Sequence, residues 1–306
     1  MTSPVPGPAP STAPAVSGLA PALGAYIIWG FLPLYLLLVK TVPAFEFVGW
    51  RIIWTLPLCL LIVAFRRQFP ELLAALKSPR TLLALFASAV LIGINWFTYI
   101  WAIMAGEVYA TSIGYYLNPL LNVLLGTLVL GEKLSRRQWI AVAIAAVAVA
   151  LLAAGALTSL WISLTLGFSF ALYGLVRKQV AVGSLPGLTI ESAILLLPAA
   201  GIAAWYAASP QGSAFGQDAW LSGLIVLSGV VTAIPLLLFA IAARRMDYST
   251  LGFLQYIAPT IVFFLGLFVF EQPLAPVKMI SFVLIWVAVA IFASDLWAKR
   301  RAAALA

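Results

Sequence analysis

The stretch TSIGYYLNPLLNVLLGTLVLG, Thr111 to Gly131, is long enough to cross a bilayer as a helix, yet it carries Asn118, Pro119 and Asn122 near its centre. An amide in hydrocarbon costs free energy unless it finds a partner, so such side chains face a protein interior or a wet cavity. A diverged second copy follows as TLGFLQYIAPTIVFFLGLFVFE, Thr250 to Glu271. Tyr116, Pro119 and Gly126 match Tyr256, Pro259 and Gly266 at one offset, 259 − 119 = 140. The chain therefore reads as two versions of one unit. At the same offset Asn118, Asn122 and Tyr115 become Ala258, Val262 and Gln255. Unequal copies suit an asymmetric solute, and drift leaves the same trace.

Composition fixes the environment. Of 306 residues, 64% are hydrophobic and 8% charged, with a mean hydropathy of +1.11. Soluble domains carry roughly a quarter charged residues, so this chain reads as an integral membrane protein. The 17 Lys and Arg against 9 acids do not form a nucleic-acid patch, because they sit in short loops between apolar runs. With no histidine and one cysteine, Cys59, an intrachain disulfide is impossible and a structural metal site is not expected. No cofactor motif and no catalytic residue stands out. The first 20 residues are rich in Pro, Ala and Ser and uncharged. They lack the basic start and apolar core of a secretory signal and read as a disordered lead-in.

Ten apolar runs follow, at about 21–39, 44–65, 79–103, 108–130, 138–157, 160–176, 187–207, 219–242, 248–270 and 277–297. Most have the roughly 20 residues a membrane helix needs, twice a barrel strand. Between them, Arg66, Arg67, Lys77, Arg80, Lys133, Arg136, Arg137, Arg177, Lys178, Arg244, Arg245, Lys299, Arg300 and Arg301 all fall on one side. The opposite loops hold only Lys40 and Lys278 among bases. The positive-inside rule then places both termini in the cytoplasm. Because five spans is an odd number, the second unit enters from the opposite face. The expected fold is an all-α polytopic membrane protein of ten transmembrane helices in two inverted five-helix repeats. Its boundaries are 21–157 and 158–298, with a basic cytoplasmic tail at 299–306.

Inverted repeats of this kind recur in secondary transporters, with a solute site near the midplane. Gly114, Asn118, Asn122 and Gly126 recur every four residues and share one helix face, read either as a close helix contact or as cavity lining. Asn95, Trp96 and Tyr99 lie on the third run, and Trp101 beside them reads as an interfacial anchor. Tyr99, Tyr115, Tyr116, Tyr173 and Tyr256, with Gln255, are candidates for an aromatic site with polar edges or for ordinary packing. Arg51 lies a turn or more inside the second run, where it faces either a central cavity, paired with a carboxylate or an anionic solute group, or backbone carbonyls. Glu46 and Glu191 occupy comparable places near the start of each unit's second helix. They are candidate coupling carboxylates, and acids at helix N-termini are also favoured by the dipole.

Seven motifs in order carry a resemblance: NWFTYIWA at 95–102, ATSIGYYLNPLLNVLLG at 110–126, GEKL at 131–134, SFALYGLVRK at 169–178, LPGLTIE at 185–191, TAIPLLLFA at 232–240 and LQYIAPT at 254–260. The chain from Gly24 to Trp297 resembles the RarD-type family, described as chloramphenicol-sensitivity permeases, in the EamA branch of the drug/metabolite transporter superfamily. The residue before Arg51 is Trp50, where that family commonly has histidine, so a histidine-based proton relay is absent. The resemblance implies a ten-helix carrier of the bacterial inner membrane with two EamA repeats and an export role.

The leading expectation is a secondary transporter of a small organic metabolite or drug, working as a monomer or homodimer in the lipid bilayer by alternating access. Its site is lined by spans one, three, four, six, eight and nine. No Walker-type loop is present, so a gradient would supply the energy. A channel or a structural membrane partner is the alternative. An embedded enzyme would need a nucleophile and base, paired acids or metal ligands, for which the intramembrane residues offer little.

Overall fold

The computed structural model describes residues 18–105, 107–154, 157–271 and 276–305. Among these, every regular element is helical: α1 Leu19–Leu38, α2 Ala44–Phe65, α3 Phe69–Leu76, α4 Pro79–Met104, α5 Val108–Leu128, α6 Arg136–Ala153, α7 Leu160–Gln179, α8 Ser184–Ala207, α9 Ala219–Arg245, α10 Tyr248–Gln255, α11 Ile257–Phe268 and α12 Pro276–Leu305. The fold is thus an all-α polytopic membrane protein. Nine helical segments among the described residues are long and apolar enough to cross a membrane. The tenth run forms α5, of comparable length but diluted by its amides, tyrosines and glycines.

Local signals explain the boundaries. The Ser78 side chain accepts from the backbone N–H of Thr81, with Pro79 opening α4. Ser135 and Gln138 form a reciprocal capping box at the start of α6. Asp218 accepts from Leu221 N–H at 2.6 Å to start α9. Gly131, at φ +68°, turns the chain after α5.

Three elements differ from the sequence expectation. α3 is an extra short helix in the loop after the second span. It begins at a Phe–Pro pair and buries Leu72 and Ala75. The ninth span is broken into α10 and α11. Proline crowds the carbonyl four residues back, and Pro259 sits four residues after Gln255, where α10 ends. The tail expected from 299 onward continues α12 as helix to Leu305. The helix α1 starts two residues inside the expected lead-in, and residues 1–17 lie outside the described residues.

Packing follows a pattern. α2 packs on α8 and α9, while α8 packs on α2 and α4. α1 packs on α9 and on α10 and α11, while α7 packs on α4 and α5; α6 lies along α12, and α5 along α10. Exchange each span for the one five places on, and α2–α8, α5–α10 and α6–α12 map onto themselves while the other pairs map onto one another. Outward-facing Leu83, Leu197, Phe65 and Phe268 give the bundle an apolar coat, with Trp205, Trp220 and Trp297 exposed at or near helix ends. Trp101, the expected anchor, is exposed and packs against Trp161 with ring centroids 5.2 Å apart.

Candidate functional site

Among the described residues, Arg51 and Glu191 each stand eight residues into a span, and each is positioned by a packing device. Arg51 is the eighth residue of α2, about 10 Å along the helix from its start. α2 meets α9 almost backbone to backbone, because a Cβ at Gly229 would stand 2.5 Å from the Trp54 carbonyl. Thr55 ties that contact by donating across it to the Gly229 carbonyl at 3.4 Å. The close approach brings Thr232 within reach, and Arg51 Nε donates to its hydroxyl at 3.0 Å. The guanidinium carbon stands 4.8 Å over the Trp96 ring, a cation–π arrangement.

Tyr35, Tyr99 and Tyr115 lie within electrostatic range of the same guanidinium. The Tyr99 and Tyr115 rings meet edge to face at 5.9 Å, and Tyr35 donates to the Leu224 carbonyl at 2.7 Å. All five of these side chains, counting Arg51 and Trp96, are half-buried. Among the described residues no carboxylate oxygen comes within 4.0 Å of Arg51; the ion pair found there is Arg177 with Glu191.

Glu191 is the second charge. It is the eighth residue of α8, buried, and 3.5 Å from Arg177 Nη1. Ser88 of α4 donates to it. Arg177 ends α7, is fully buried, and donates through Nη2 to the Ser184 carbonyl at 2.7 Å. Gly187 makes the space, since a Cβ there would collide with the guanidinium. A cavity of about 10 Å³, the size of a single water site, is lined by Glu191, Thr55, Trp96, Tyr173 and Ser192 among others. Trp96 is therefore shared by the two charged clusters.

The expected site residues sort into two groups. Arg51, Trp96, Tyr99 and Tyr115 come together, and Tyr173 joins Glu191 at the small cavity. Asn95 instead bridges helices, donating to Leu166 O at 2.9 Å and to Ser169 Oγ at 3.1 Å. Gln255 accepts from Asn122 at 3.1 Å across α5 and α10. Tyr256 is buried and donates to the Tyr116 carbonyl at 3.3 Å. Asn118 is fully buried, and neither amide atom has a partner among the described residues. Glu46 is held at the loop between α8 and α9: its Oε1 accepts from Ala214 N–H at 2.8 Å, from Trp50 Nε1 at 3.2 Å and from Ser213.

The pairing of Glu46 with Glu191 as counterparts gives way to another. At the repeat offset the counterpart of Glu191 is Arg51, 191 − 51 = 140, whereas Glu46 lies 145 away. Ser88, the partner of Glu191, corresponds to Ser228, one turn before Thr232 on α9. Ser88 shares the face of the third span that carries Asn95 and Tyr99 in the sequence, whereas Thr232, Tyr35 and Arg177 escaped sequence reading as site residues. Arg177 looked like one more loop base.

An EamA-like transporter family model matches residues 16–154. The chain is 43% identical to Protein RarD of Salmonella typhi over 286 residues, covering 91% of this chain and 95% of that protein. The chain belongs to the RarD-type branch of the EamA-like transporter family. Within this family it is also 39% identical to a Vibrio cholerae protein named an uncharacterized transporter, covering 94% of this chain and 95% of its relative. One solved crystal structure shares the fold at a TM-score of 0.70 and 19% identity, over 90% of this chain and 96% of the other. The chain is thus a multi-pass membrane transporter of the drug/metabolite type with bacterial relatives.

Proposed function

We propose that this RarD-type protein is a secondary transporter that exports a small organic metabolite or drug across the bacterial inner membrane by alternating access. One observation carries the reading: the half-buried cluster of Arg51, Trp96, Tyr99 and Tyr115 lies within the spans, where charge is costly unless it faces a cavity or a partner. Two further features support it. The main helix pairs map onto themselves or onto one another under exchange of the two halves, as expected of two inverted five-span repeats. The buried Arg177–Glu191–Ser88 cluster ties α4, α7 and α8 together inside the bundle, which favours a gated carrier over an open channel.

In this reading Arg51 stands toward the outer face and Glu191 toward the cytoplasm, both termini being cytoplasmic. Span two joins the site lining, and Glu191 is the better candidate coupling carboxylate, since Glu46 is occupied by the 213–214 backbone and side chains.

Solute counterflow tests the carrier directly. Purified protein in liposomes preloaded with an unlabelled solute accumulates the labelled one, for at least one member of a panel of organic acids, amino acids, amines and drugs. Absence of counterflow across the whole panel, or conductance steps in planar bilayers, overturns the proposal.

A further inference from the structure

We infer that the Arg51 cluster is a binding site for a small organic anion, a carboxylate on a flat apolar body. This deepens the carrier reading and rests on it for the solute's passage, though not for its binding.

The inference begins with unbalanced charge. Glu191 already has Arg177 and Ser88, and Glu46 is committed to the loop between α8 and α9. Arg51 has a neutral hydroxyl and a ring face, with phenols rather than carboxylates around it. Of Arg51, Arg177 and Glu191, the charges described deep within the spans, Arg51 alone has no ion-pair partner. A guanidinium among apolar helices, with a single hydrogen bond, has large unspent capacity for an anion.

Geometry then selects the kind of anion. Thr232 takes only Nε, and among the described residues Nη1 and Nη2 make no hydrogen bond. Neither belongs to the buried atoms left without a partner, so the two terminal nitrogens face open space. Two parallel N–H groups match the two oxygens of a carboxylate. Trp96 fixes the guanidinium plane from one side, which reduces the side-chain entropy lost when an anion docks. Tyr99 and Tyr115, edge to face, leave ring surfaces and hydroxyls beside the charge. Those surfaces suit a flat apolar body, because ring contacts contribute without requiring a polar partner. An organic cation meets the opposite field and has no free carboxylate here.

Probe binding to the purified full-length protein in detergent decides the matter, with benzoate, benzamide and benzylamine as isosteric anion, neutral and cation. At matched ionic strength, intrinsic tryptophan quenching and thermal shift report benzoate binding roughly ten- to a hundredfold tighter than benzamide, the range for charge-assisted hydrogen bonds. Benzylamine binds no better than benzamide. Arg51→Gln removes the preference for benzoate and leaves benzamide unchanged, and Arg51→Lys, which keeps a point charge without the fork, restores part of it. Trp96→Phe keeps the charge and weakens benzoate severalfold, so the site stays testable if the Arg51→Gln protein does not fold. Equal or better binding of benzamide or benzylamine overturns the inference, as does benzoate affinity unmoved in both Arg51→Gln and Trp96→Phe. Benzoate binding without counterflow of any solute overturns the carrier reading and leaves the anion site standing. Counterflow of neutral solutes that is indifferent to Arg51→Gln does the reverse.

Discussion

Arg177 and Glu191 are the most deeply buried opposite charges described, with exposures of 0% and 3% for the side chains. Removing one member of such a pair leaves the other uncompensated, at a cost of about 3–5 kcal/mol, whereas replacing both with apolar groups of similar volume is often neutral. Glu191→Leu is therefore expected to lose about 3–5 kcal/mol of stability, and the Glu191→Leu, Arg177→Met double variant to recover most of it. Denaturant or thermal unfolding in detergent reads both, and a double variant as unstable as the single one contradicts the buried pair. If Glu191 is the coupling acid, Glu191→Gln abolishes the pH dependence of counterflow while Glu46→Gln preserves it. At this scale the sequence revealed that Arg51 was costly where it stood, because a charge inside an apolar run needs no coordinates to be noticed. It hid the role of Arg177, because a base at the end of a run looks the same whether it points to water or folds back over a glycine.

The elements act through two devices. At Gly229 the α2 and α9 backbones touch, and any side chain must push them apart. Gly229→Ala is expected to cost about 1–3 kcal/mol by overpacking and to weaken the Arg51–Thr232 bond, so it lowers both melting temperature and benzoate affinity. Gly201→Ala, on α8 with open space at its Cβ position, leaves both unchanged. At the ninth span, Pro259 separates α10 from α11 although the equivalent Pro119 sits inside continuous α5. The two prolines are the same in sequence, and packing distinguishes them. Asn122 and Gln255 bridge α5 to α10, while Pro119 and Asn122 pack against Gly252, so the α10 half of the ninth span is clamped. This explains why the stripe at 114, 118, 122 and 126 was legible as a special face, yet its reading as contact or lining stayed open. Gly114 meets Leu166 and Ser163 of α7, Gly126 meets Ser249 of α10 and Asn122 bonds to Gln255 of α10, so three of its members serve helix contact. Asn118 has neither of its amide atoms partnered among the described residues.

On the scale of the molecule, hydropathy carried the all-helical polytopic fold, since the length of each apolar run sets the length of its span. It carried less of the site, whose residues come from α1, α2, α4, α5 and α9 and meet only after packing. Alternating access requires that one solute site be reached from each face in turn. Cys59 is the sole cysteine and is fully buried, so a Cys59→Ser background can report single cysteines introduced at Tyr115 and at Ser192. An impermeant maleimide applied to right-side-out and inverted vesicles measures each from both faces. The account predicts that the cysteine at 115 labels from outside and the one at 192 from the cytoplasm, with a transported solute shifting the two rates in opposite directions. Labelling of both positions from one face at rates the solute leaves unchanged would contradict it.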